Sequence, residues 1–594
     1  MGVKGLSYFV DNDCSEVCKR IYIPELASRY SVGGTPVLVV DGMSLINKMI
    51  QKDSNWVYGG QWMEYIENIK AFVNKFQQFG IELVFFYDGS VCKSKRTEWV
   101  SRRKKHLSET DGVFYYIKST KRHPPETMFL LPTGMGSLTR CILKYEFHCE
   151  IRTTIGEADQ EIADYANRNS NCFAILSQDS DFIIYNTKPY LSINHLNMDT
   201  LITVMYDRHQ MAREINLDVS LFPLLSCLLG NDIIQADGLR NFHKSLCGLP
   251  YRNPRISELV PRTVELIRRN RWTGQEIEHI ASVTNIDVKS LIQGISVYSL
   301  CNDVHNLPYE HTDTLAIARK ITVNGEGPPV IYTLMCRQEY ESSELLEDRN
   351  NTLIKPSALV YREVRKRLYF ILFENKSVTV KEWCAYHGNP MEKPEYVVPE
   401  ELDYQGPKLN LSVLWSNKPE FFDHQWELFR SCFGISIPSP ELKKMPEEFM
   451  TLCCVLNFLI LRPHLSGIEV WEVIAFICQA ISPYARNADE IRKIYVKEVD
   501  ARAVQLAALF MRGVNHVDSV ATVCIGFFPR YYIMPWHFFD GKLFHHYYLM
   551  AKNGATLKTL CENQAKVSEL LHSLYRVIKM GTPFPQTLSD QCLR

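Results

Sequence analysis

The sequence predicts an α/β domain with a parallel sheet, followed by a mainly helical domain. Two apolar, strand-like runs, 36–40 and 81–87, each end in the dipeptide Asp-Gly, and a helix-like stretch separates them. A strand, a helix and a second strand in this order are typical of a βαβ unit, whose strands pair in parallel. From about residue 353 onward, apolar residues instead recur mostly at helical spacing.

Four segments are predicted along the chain. Its 594 residues favour two to four domains of about 150 residues each. The segments are an α/β domain over 1–240, a helical extension over 241–305, a linker over 306–352 and a mainly helical domain over 353–594. The linker is placed where proline and glycine cluster, and its β-branched run, 330–336, is typical of a short strand.

The composition excludes several classes of protein. Hydrophobic residues make up 46% and charged residues 22%, as is usual for a globular protein. The net charge of -1 gives no global sign of nucleic-acid binding, so any basic surface must be local. The 18 cysteines include no Cys-x-x-Cys pair, which predicts reduced thiols in an intracellular protein. We expect no signal peptide and no membrane-spanning helix, because the longest apolar run is too short to cross a bilayer.

The first elements place one aspartate at the end of each predicted strand. The run 36–40 is rich in β-branched residues and predicts a central strand with Asp41 at its tip. Helical spacing over 61–79 leads to the second strand, 81–87, which ends at Asp88. A single such aspartate is most often a turn former or a helix cap. Two such aspartates, at equivalent ends of two predicted strands, make a turn or cap role a weaker explanation.

A second group of acids follows within residues 156–185. Glu157 and Asp159 open a helical segment, and Asp179 and Asp181 follow a short apolar strand. In an open α/β sheet, ligands bind beyond the carboxyl ends of the strands. Carboxylates gathered there repel one another unless a cation lies between them, and oxygen ligands suit Mg²⁺ or Mn²⁺. The pattern predicts a metal site of the kind that cleaves phosphodiesters.

The apolar run 219–229 combines two signals. It ends in a turn that carries a further acid, Asp232. It also contains overlapping LxxLL motifs, of which the second consists of Leu225, Leu228 and Leu229. On an exposed helix such a motif can dock in the groove of a nuclear receptor. Because the run is apolar all round, we favour the alternative that these leucines are buried in the core.

The stretch 93–106 has the strongest local excess of positive charge. Its cations are Lys93, Lys95, Arg96, Arg102, Arg103, Lys104 and Lys105. Such a run is suited to follow the phosphate backbone of a nucleic acid. A solvated helix face and a nuclear-import patch are the alternative interpretations.

The C-terminal part is predicted to be mainly helical. Helical spacing is clear over 359–373, 447–461, 470–481, 501–514 and 557–578. The aromatic stretch 527–548 also holds His537, His545 and His546. Adjacent histidines cannot share one face of a helix, so we expect an aromatic core or a partner surface there and no metal site.

The acids in this order, together with MGVKGL at the start, resemble the flap-endonuclease/XPG nucleases, which have a PIN-like α/β fold. The resemblance implies seven ligands for Mg²⁺ or Mn²⁺: Asp41, Asp88, Glu157, Asp159, Asp179, Asp181 and Asp232. It also implies that the start of the chain packs beside the site and, in a nuclease, that Lys95 and Arg102 contact the scissile phosphate. This sequence departs from the family at Asn47, where flap nucleases carry a stacking aromatic. The glycine-rich helical hairpin that follows the last acid in the family is not recognisable either.

The whole chain resembles the constitutive coactivator of PPAR-gamma family. The motifs that carry this resemblance include GGQWMEYI (59–66), EADQEIADY (157–165), PLLSCLLGNDII (223–234) and MPWHFFDGKLFH (534–545). It implies a nuclear protein that promotes transcription by PPAR-gamma without ligand, with a role in adipogenesis. Retinoid X and estrogen receptors are further candidate partners.

Three functions follow from the residues and the two resemblances. The favoured one is a nuclear-receptor coactivator that uses a nuclease-like domain as a scaffold and needs no established cofactor. The second is a structure-specific nuclease that depends on Mg²⁺ or Mn²⁺. The third is nucleic-acid binding without cleavage, through the basic stretch 93–106.

Overall fold

The chain forms two compact units, each assembled from separate stretches. The computed structural model describes residues 2–30, 33–50, 56–300, 313–342, 346–374, 376, 378–386, 388–389, 391–526 and 533–593. Unit 1 comprises Met1–Lys48, Ala71–Ser101 and Cys149–Tyr309. Unit 2 comprises Met49–Lys70, Arg102–His148 and Glu310–Arg594. The predicted boundaries after residues 240, 305 and 352 stay predictions.

Unit 1 is built on a mainly parallel sheet. Its strands are β1 (Cys18–Tyr22), β2 (Val37–Asp41), β3 (Glu82–Tyr87), β4 (Glu150–Thr153), β5 (Cys172–Ser177), β6 (Tyr190–Ser192) and β7 (Ile202–Tyr206). They lie in the order β1-β7-β6-β5-β2-β3-β4. The pairs from β6 to β4 are parallel, whereas β7 pairs antiparallel with both β6 and β1. This sheet confirms the α/β fold class.

Helices make up most of the remaining structure. Among the described residues they are α1 (Leu6–Asp13), α2 (Ile23–Tyr30), α3 (Gly42–Met49), α4 (Trp62–Gln77), α5 (Arg96–Thr120), α6 (Met135–Cys141), α7 (Ala158–Arg168), α8 (Asp181–Ile184), α9 (Arg208–Ile215), α10 (Phe222–Leu229), α11 (Arg240–Cys247), α12 (Ile256–Arg269), α13 (Ile277–Thr284), α14 (Val288–Ser296), α15 (Asp313–Val323), α16 (Pro329–Arg337), α17 (Ser357–Val360), α18 (Arg362–Leu372), α19 (Leu411–Leu414), α20 (Phe422–Phe433), α21 (Ser439–Lys444), α22 (Glu447–Ile460), α23 (Pro463–Ser466), α24 (Val470–Ile481), α25 (Ala488–Lys493), α26 (Ala501–Cys524), α27 (Gly541–Lys552), α28 (Leu557–Leu560) and α29 (Ala565–Ile578). The C-terminal part is therefore mainly helical, as the sequence predicted.

Unit 2 also contains a small sheet. Its three strands, β8 (Glu339–Glu341), β9 (Val380–Trp383) and β10 (Glu395–Val397), lie in the order β10-β9-β8. Helix α26 is buried along most of its length in this unit and packs against α20 and α22. No helix in the described ranges is long and apolar enough to cross a membrane.

The prediction of a strand over 330–336 was wrong. These residues lie inside helix α16, and the short strand of that segment, β8, follows it. A short apolar run cannot be assigned by periodicity alone, because a buried strand and a buried helical segment look alike. Pro329 begins the helix, where its fixed φ angle suits the first turn. Residues 306–312 of the predicted linker lie outside the described residues.

Candidate metal centre

The parallel strands bring three of the predicted acids to one edge of the sheet. Asp41 is the last residue of β2, and Asp88 directly follows β3. Asp179 lies two residues beyond β5. Strands β3 and β5 are the two parallel neighbours of β2, so their carboxyl ends meet at the same edge.

Helix termini supply the other four acids. Glu157 is the N-cap residue of α7, and Asp159 lies in the first turn of that helix. Asp181 is the first residue of α8, and Asp232 lies three residues beyond the end of α10. Three of these acids therefore lie at the N-terminus of a helix, although the side chain of Glu157 makes no cap hydrogen bond there.

Three of the acids form the tightest group. Asp159, Asp179 and Asp181 each offer a carboxylate oxygen within 4.8 Å of the others. Oxygens that share one divalent ion at about 2.0–2.6 Å can lie up to about 5 Å apart, so this spacing fits a single cation. Burial raises the pKa of Asp179 to about 6. Burial, together with repulsion from Asp179, also raises the pKa of Asp159 and of Asp181 above the ordinary range.

The carboxylate of Asp41 is occupied by donors of its own chain. Oδ1 accepts hydrogen bonds from the backbone N–H groups of Met43 (3.0 Å) and Ser44 (3.2 Å). Oδ2 accepts hydrogen bonds from the hydroxyls of Ser44 (2.5 Å) and Ser177 (2.8 Å). A carboxylate has about four lone-pair sites, so these four donors saturate it. Asp41 therefore ties the start of α3 to β5, which is the cap role considered for such an aspartate.

Lys95 lies inside the group of acids. Its Nζ donates hydrogen bonds to Glu157 Oε1 at 2.5 Å and to Asp232 Oδ2 at 2.8 Å. The Lys95 side chain is only 18% exposed. Burial lowers the pKa of Lys95, but Asp232 and Glu157 outweigh it and hold the pKa above the ordinary value. The ammonium group therefore stays charged and offsets part of the negative charge of Glu157 and Asp232.

Asp88 lies at the rim of the site. The residue as a whole is exposed to solvent. Desolvation by the neighbouring protein, followed by repulsion from Asp41 and Glu157, raises the pKa of Asp88 above its ordinary value.

Tyr298 is a site residue that the sequence reasoning missed. Its hydroxyl donates a hydrogen bond to Asp181 Oδ1 at 2.9 Å, and the contact is buried. Tyr298 follows α14 and lies 117 residues from Asp181 in the chain. No spacing rule links two residues so far apart, and a single tyrosine is not a recognisable motif.

The N-terminal residues pack against the acids, as the resemblance to flap endonucleases implied. Gly2 has a φ angle of +76°, and a Cβ atom there would overlap Asp179 Oδ1. The hydroxyl of Ser180 donates to the carbonyl of Val3 at 3.2 Å, and Lys4 N–H donates to the carbonyl of Gly230 at 3.1 Å. Only glycine combines this positive φ angle with so close an approach.

The basic stretch does not gather in the site as a whole. Lys95 lies among the acids, whereas Arg102 is an exposed residue of helix α5. The other cations of the stretch are Lys93, Lys104 and Lys105, which are exposed, and Arg96 and Arg103, which are half-buried. The guanidinium of Arg96 lies over the ring of Trp99, 5.2 Å from its centroid.

The candidate docking motif is part of the core of unit 1. Leu225 and Leu228 are 0% exposed and Leu229 is 1% exposed. Helix α10 packs these side chains towards α12 and α14. Because a receptor groove needs exposed leucines, this motif is not available as a docking surface, and the core interpretation describes these residues.

The donor set therefore fits one divalent cation but not two. The group of Asp159, Asp179 and Asp181 has the spacing and chemistry for Mg²⁺ or Mn²⁺. Donors of the chain already engage Asp41, Glu157 and Asp232. A second ion, of the kind that completes a metal pair at a phosphodiester, would compete with these donors for the same three carboxylates.

Comparison with known proteins decides the family. The model of the FAM120A-like domain matches residues 215–302, the stretch that contains α10 and Tyr298. The constitutive coactivator of peroxisome proliferator-activated receptor gamma from Bos taurus is 31% identical over 97% of this chain and 95% of its own length. The chain belongs to the constitutive coactivator of PPAR-gamma family. The family member from Mus musculus is 28% identical over 97% of this chain and 92% of its own length.

Solved structures of the flap-endonuclease type are the structural neighbours of this member of the family. The catalytic core of Rad2 in complex with DNA substrate is 16% identical and covers 56% of this chain and 97% of its own, with a TM-score of 0.29. Human GEN1 in complex with Holliday junction DNA is 16% identical and covers 57% of this chain and 79% of its own, with a TM-score of 0.29. At such low scores the fold assignment rests on the strand order of unit 1 itself.

Proposed function

We propose that this protein is a transcriptional coactivator of PPAR-gamma. The observation that carries the proposal is the 31% identity to the bovine coactivator, which spans 97% of this chain and 95% of that one. Because the similarity extends over nearly the whole of both chains, the proposal concerns the full protein and not one domain. Retinoid X and estrogen receptors are further candidate partners.

The proposed activity is independent of receptor ligand and takes place in the nucleus. A constitutive coactivator raises the output of a receptor bound at its promoter, so it must reach the nucleus to act. The name of the bovine relative supports the constitutive character, and the adipogenic role belongs to the same proposal. Within it, the α/β unit serves as a scaffold whose acids are held by internal contacts such as those of Asp41 and Lys95.

A reporter assay tests the coactivator proposal. The full chain is expressed in cells with PPAR-gamma and a PPAR-responsive reporter, in the absence of agonist. We expect reporter output above that of cells with receptor alone, and no increase when the receptor is left out. Output equal to that of the receptor alone would overturn the proposal.

Fragments and localisation sharpen the same experiment. Fragments that lack 1–240 or 353–594 ask whether either part is sufficient. Output retained by one of them would locate the activity, whereas loss with both is informative only if the fragments fold, because residues 49–70 and 102–148 belong to unit 2. Imaging of the tagged full chain should place it in the nucleus. Depletion from preadipocytes should reduce lipid accumulation on differentiation, which expression of the full chain should restore.

The second candidate function is metal-dependent cleavage of nucleic acid. The observation that favours it is the group of Asp159, Asp179 and Asp181, whose oxygens are spaced for one ion. A divalent cation bound there supplies Lewis-acid chemistry that activates water and stabilises a leaving oxygen. The chain itself would orient that cation through the three carboxylates, with Lys95 as a positive charge beside it.

A cleavage assay separates this candidate from the scaffold role. The full chain is incubated with flap, nicked and single-stranded substrates in Mg²⁺ or Mn²⁺, with Asp179→Ala as the control variant. Cleavage that disappears in the variant supports the nuclease. If no substrate is cut, or if the variant cuts equally well, the nuclease candidate is excluded.

A further inference from the structure

We propose that the ammonium group of Lys95 is the resident cation of the carboxylate site. It takes the place of one ion of a metal pair, so that the site binds a single divalent cation, at Asp159, Asp179 and Asp181. This inference concerns the chain's own residues and does not depend on the coactivator proposal.

The first support is the position of Lys95. Its Nζ lies 2.5 Å from Glu157 Oε1 and 2.8 Å from Asp232 Oδ2, so it bridges two acids 75 residues apart in the chain. Both carboxylate side chains are 15% exposed, which places the ammonium group largely away from solvent. Charge-assisted hydrogen bonds in such surroundings are stronger than those between neutral groups. A metal ion that used the same two oxygens, Glu157 Oε1 and Asp232 Oδ2, would compete with the ammonium group for them.

The second support is that hydrogen bonds from the chain itself also occupy the carboxylate of Asp41. Four donors, two backbone N–H groups and two serine hydroxyls, saturate its carboxylate. Ser177, one of these donors, belongs to β5, so the contact is part of the sheet edge. A metal ion that used Asp41 would have to displace at least one of these four donors.

The third support is electrostatic. The three acids of the group place carboxylate oxygens within 4.8 Å of one another, so their negative charges repel when they are ionised. One divalent ion relieves that repulsion. A second ion beside the ammonium would add a like charge at a few ångströms, where repulsion between charges is strong in a partly buried site.

Tyr298 contacts the group of three acids proposed to bind the single cation. Its hydroxyl donates a hydrogen bond to Asp181 Oδ1 at 2.9 Å, so it fixes the orientation of one carboxylate of the group formed by Asp159, Asp179 and Asp181. Tyr298 is thus a positioning residue that orients Asp181. The segment that supplies it is the one matched by the FAM120A-like domain.

The test is to count Mn²⁺ ions bound to the purified full chain at neutral pH. Mn²⁺ alone is titrated, and free ion is followed by electron paramagnetic resonance. We expect one ion for the unmodified chain. Lys95→Met, which removes the charge but keeps most of the side chain, should bind two ions, or one at least tenfold more tightly.

The matched control is Lys19→Met. Lys19 also forms an ion pair in unit 1, with Asp207 at 2.7 Å, but it lies outside the acid group. This variant should bind Mn²⁺ as the unmodified chain does. A further readout is the thermal midpoint in EDTA, which Lys95→Met should lower and added Mn²⁺ should restore.

Several results would overturn the proposal. Two ions bound by the unmodified chain, or none, contradict it without the need for any variant. Equal number and affinity for Lys95→Met and the unmodified chain also contradict it. If Lys95→Met does not fold, Lys95→Arg provides the second comparison, since a retained charge should leave one ion bound.

Discussion

At the scale of single residues, two helix-capping aspartates show how neighbouring groups determine whether a carboxyl group is charged. Asp500 and Asp540 both cap helices of unit 2, and each accepts two backbone N–H groups on Oδ1. Oδ2 of Asp500 lies 2.6 Å from Lys552 Nζ, whereas Oδ2 of Asp540 is buried with no partner among the described residues. Lys552 outweighs burial and lowers the pKa of Asp500. Burial raises the pKa of Asp540 to about 7.

The substitution Asp540→Asn should therefore make the protein more stable at pH 8. In the folded protein the carboxyl holds its proton up to about pH 7, and in the unfolded chain only to its ordinary value of 3.8. The contribution of Asp540 to the free energy of unfolding is therefore largest at low pH. It falls by about 1.4 kcal/mol for each pH unit as the pH rises from the ordinary pKa towards the raised one. Asparagine stays neutral and avoids this loss. Thermal unfolding at pH 5 and pH 8 measures the difference.

Asp500→Asn is the matched control for that experiment. Its carboxylate has a lowered pKa, so the charged form is favoured in the folded state and its loss should destabilise the protein at pH 8. The two cap variants should shift the midpoint in opposite directions. If Asp540→Asn lowers the midpoint at pH 8 as much as at pH 5, the raised pKa is not the cause.

At the scale of elements, a buried ion pair joins α18 to β9. Arg365 donates to both carboxylate oxygens of Glu382, at 2.7 Å and 2.8 Å, and the hydroxyl of Tyr369 donates to Glu382 Oε1 at 2.7 Å. Arg365 is 1% exposed and Glu382 is 0% exposed. Because both charges are removed from water, each depends on the other for compensation.

Glu382→Gln should destabilise the protein by about 3–5 kcal/mol, because it leaves the buried guanidinium without a counter-charge. Urea unfolding followed by circular dichroism measures the change. The control is Glu265→Gln, which removes an exposed partner of Arg262 and should cost less than about 0.5 kcal/mol. In the double variant Arg365→Met with Glu382→Leu, much of the loss should be recovered. A double variant less stable than Glu382→Gln would contradict this account.

At the scale of the whole molecule, the net charge of -1 conceals a local excess of positive charge on α5. Arg102, Lys104 and Lys105 are exposed on this helix. Nucleic-acid binding without cleavage, the third function considered from the sequence, would use such a surface. It would be sensitive to salt, because bound cations release the counterions of the phosphate backbone.

Reversal of these three charges to glutamate should abolish binding of single-stranded RNA or DNA at low salt. If only part of the binding is lost, the slope of log affinity against log salt should fall by about 0.7 for each lost phosphate contact. Fluorescence anisotropy measures both. The control reverses Lys289, Lys408 and Lys566, which are also exposed but lie outside α5. Equal effects of the two triple variants would exclude α5 as a specific surface.

Much of the fold followed from local patterns. The apolar runs 36–40 and 81–87 became β2 and β3 within one residue, and 470–481 is helix α24. The run 501–514 was predicted too short. Helix α26 continues to Cys524 through ten residues of which five are polar, so hydrophobic spacing does not mark this part although nearly all of it is buried. The run 557–578 was predicted as one helix, but α28 and α29 are separated by left-handed residues Glu562 and Asn563.

The sequence by itself determined the central strands β2, β3 and β5, several helices, and the position of the acids at the ends of elements. These features depend on short-range periodicity and on the geometry of parallel strands. Only the tertiary structure decided which acids are available. Lys95 reaches Glu157 and Asp232, which are 62 and 137 residues away, and Tyr298 reaches Asp181 across 117 residues. Such contacts depend on how distant elements pack, which short-range periodicity does not encode.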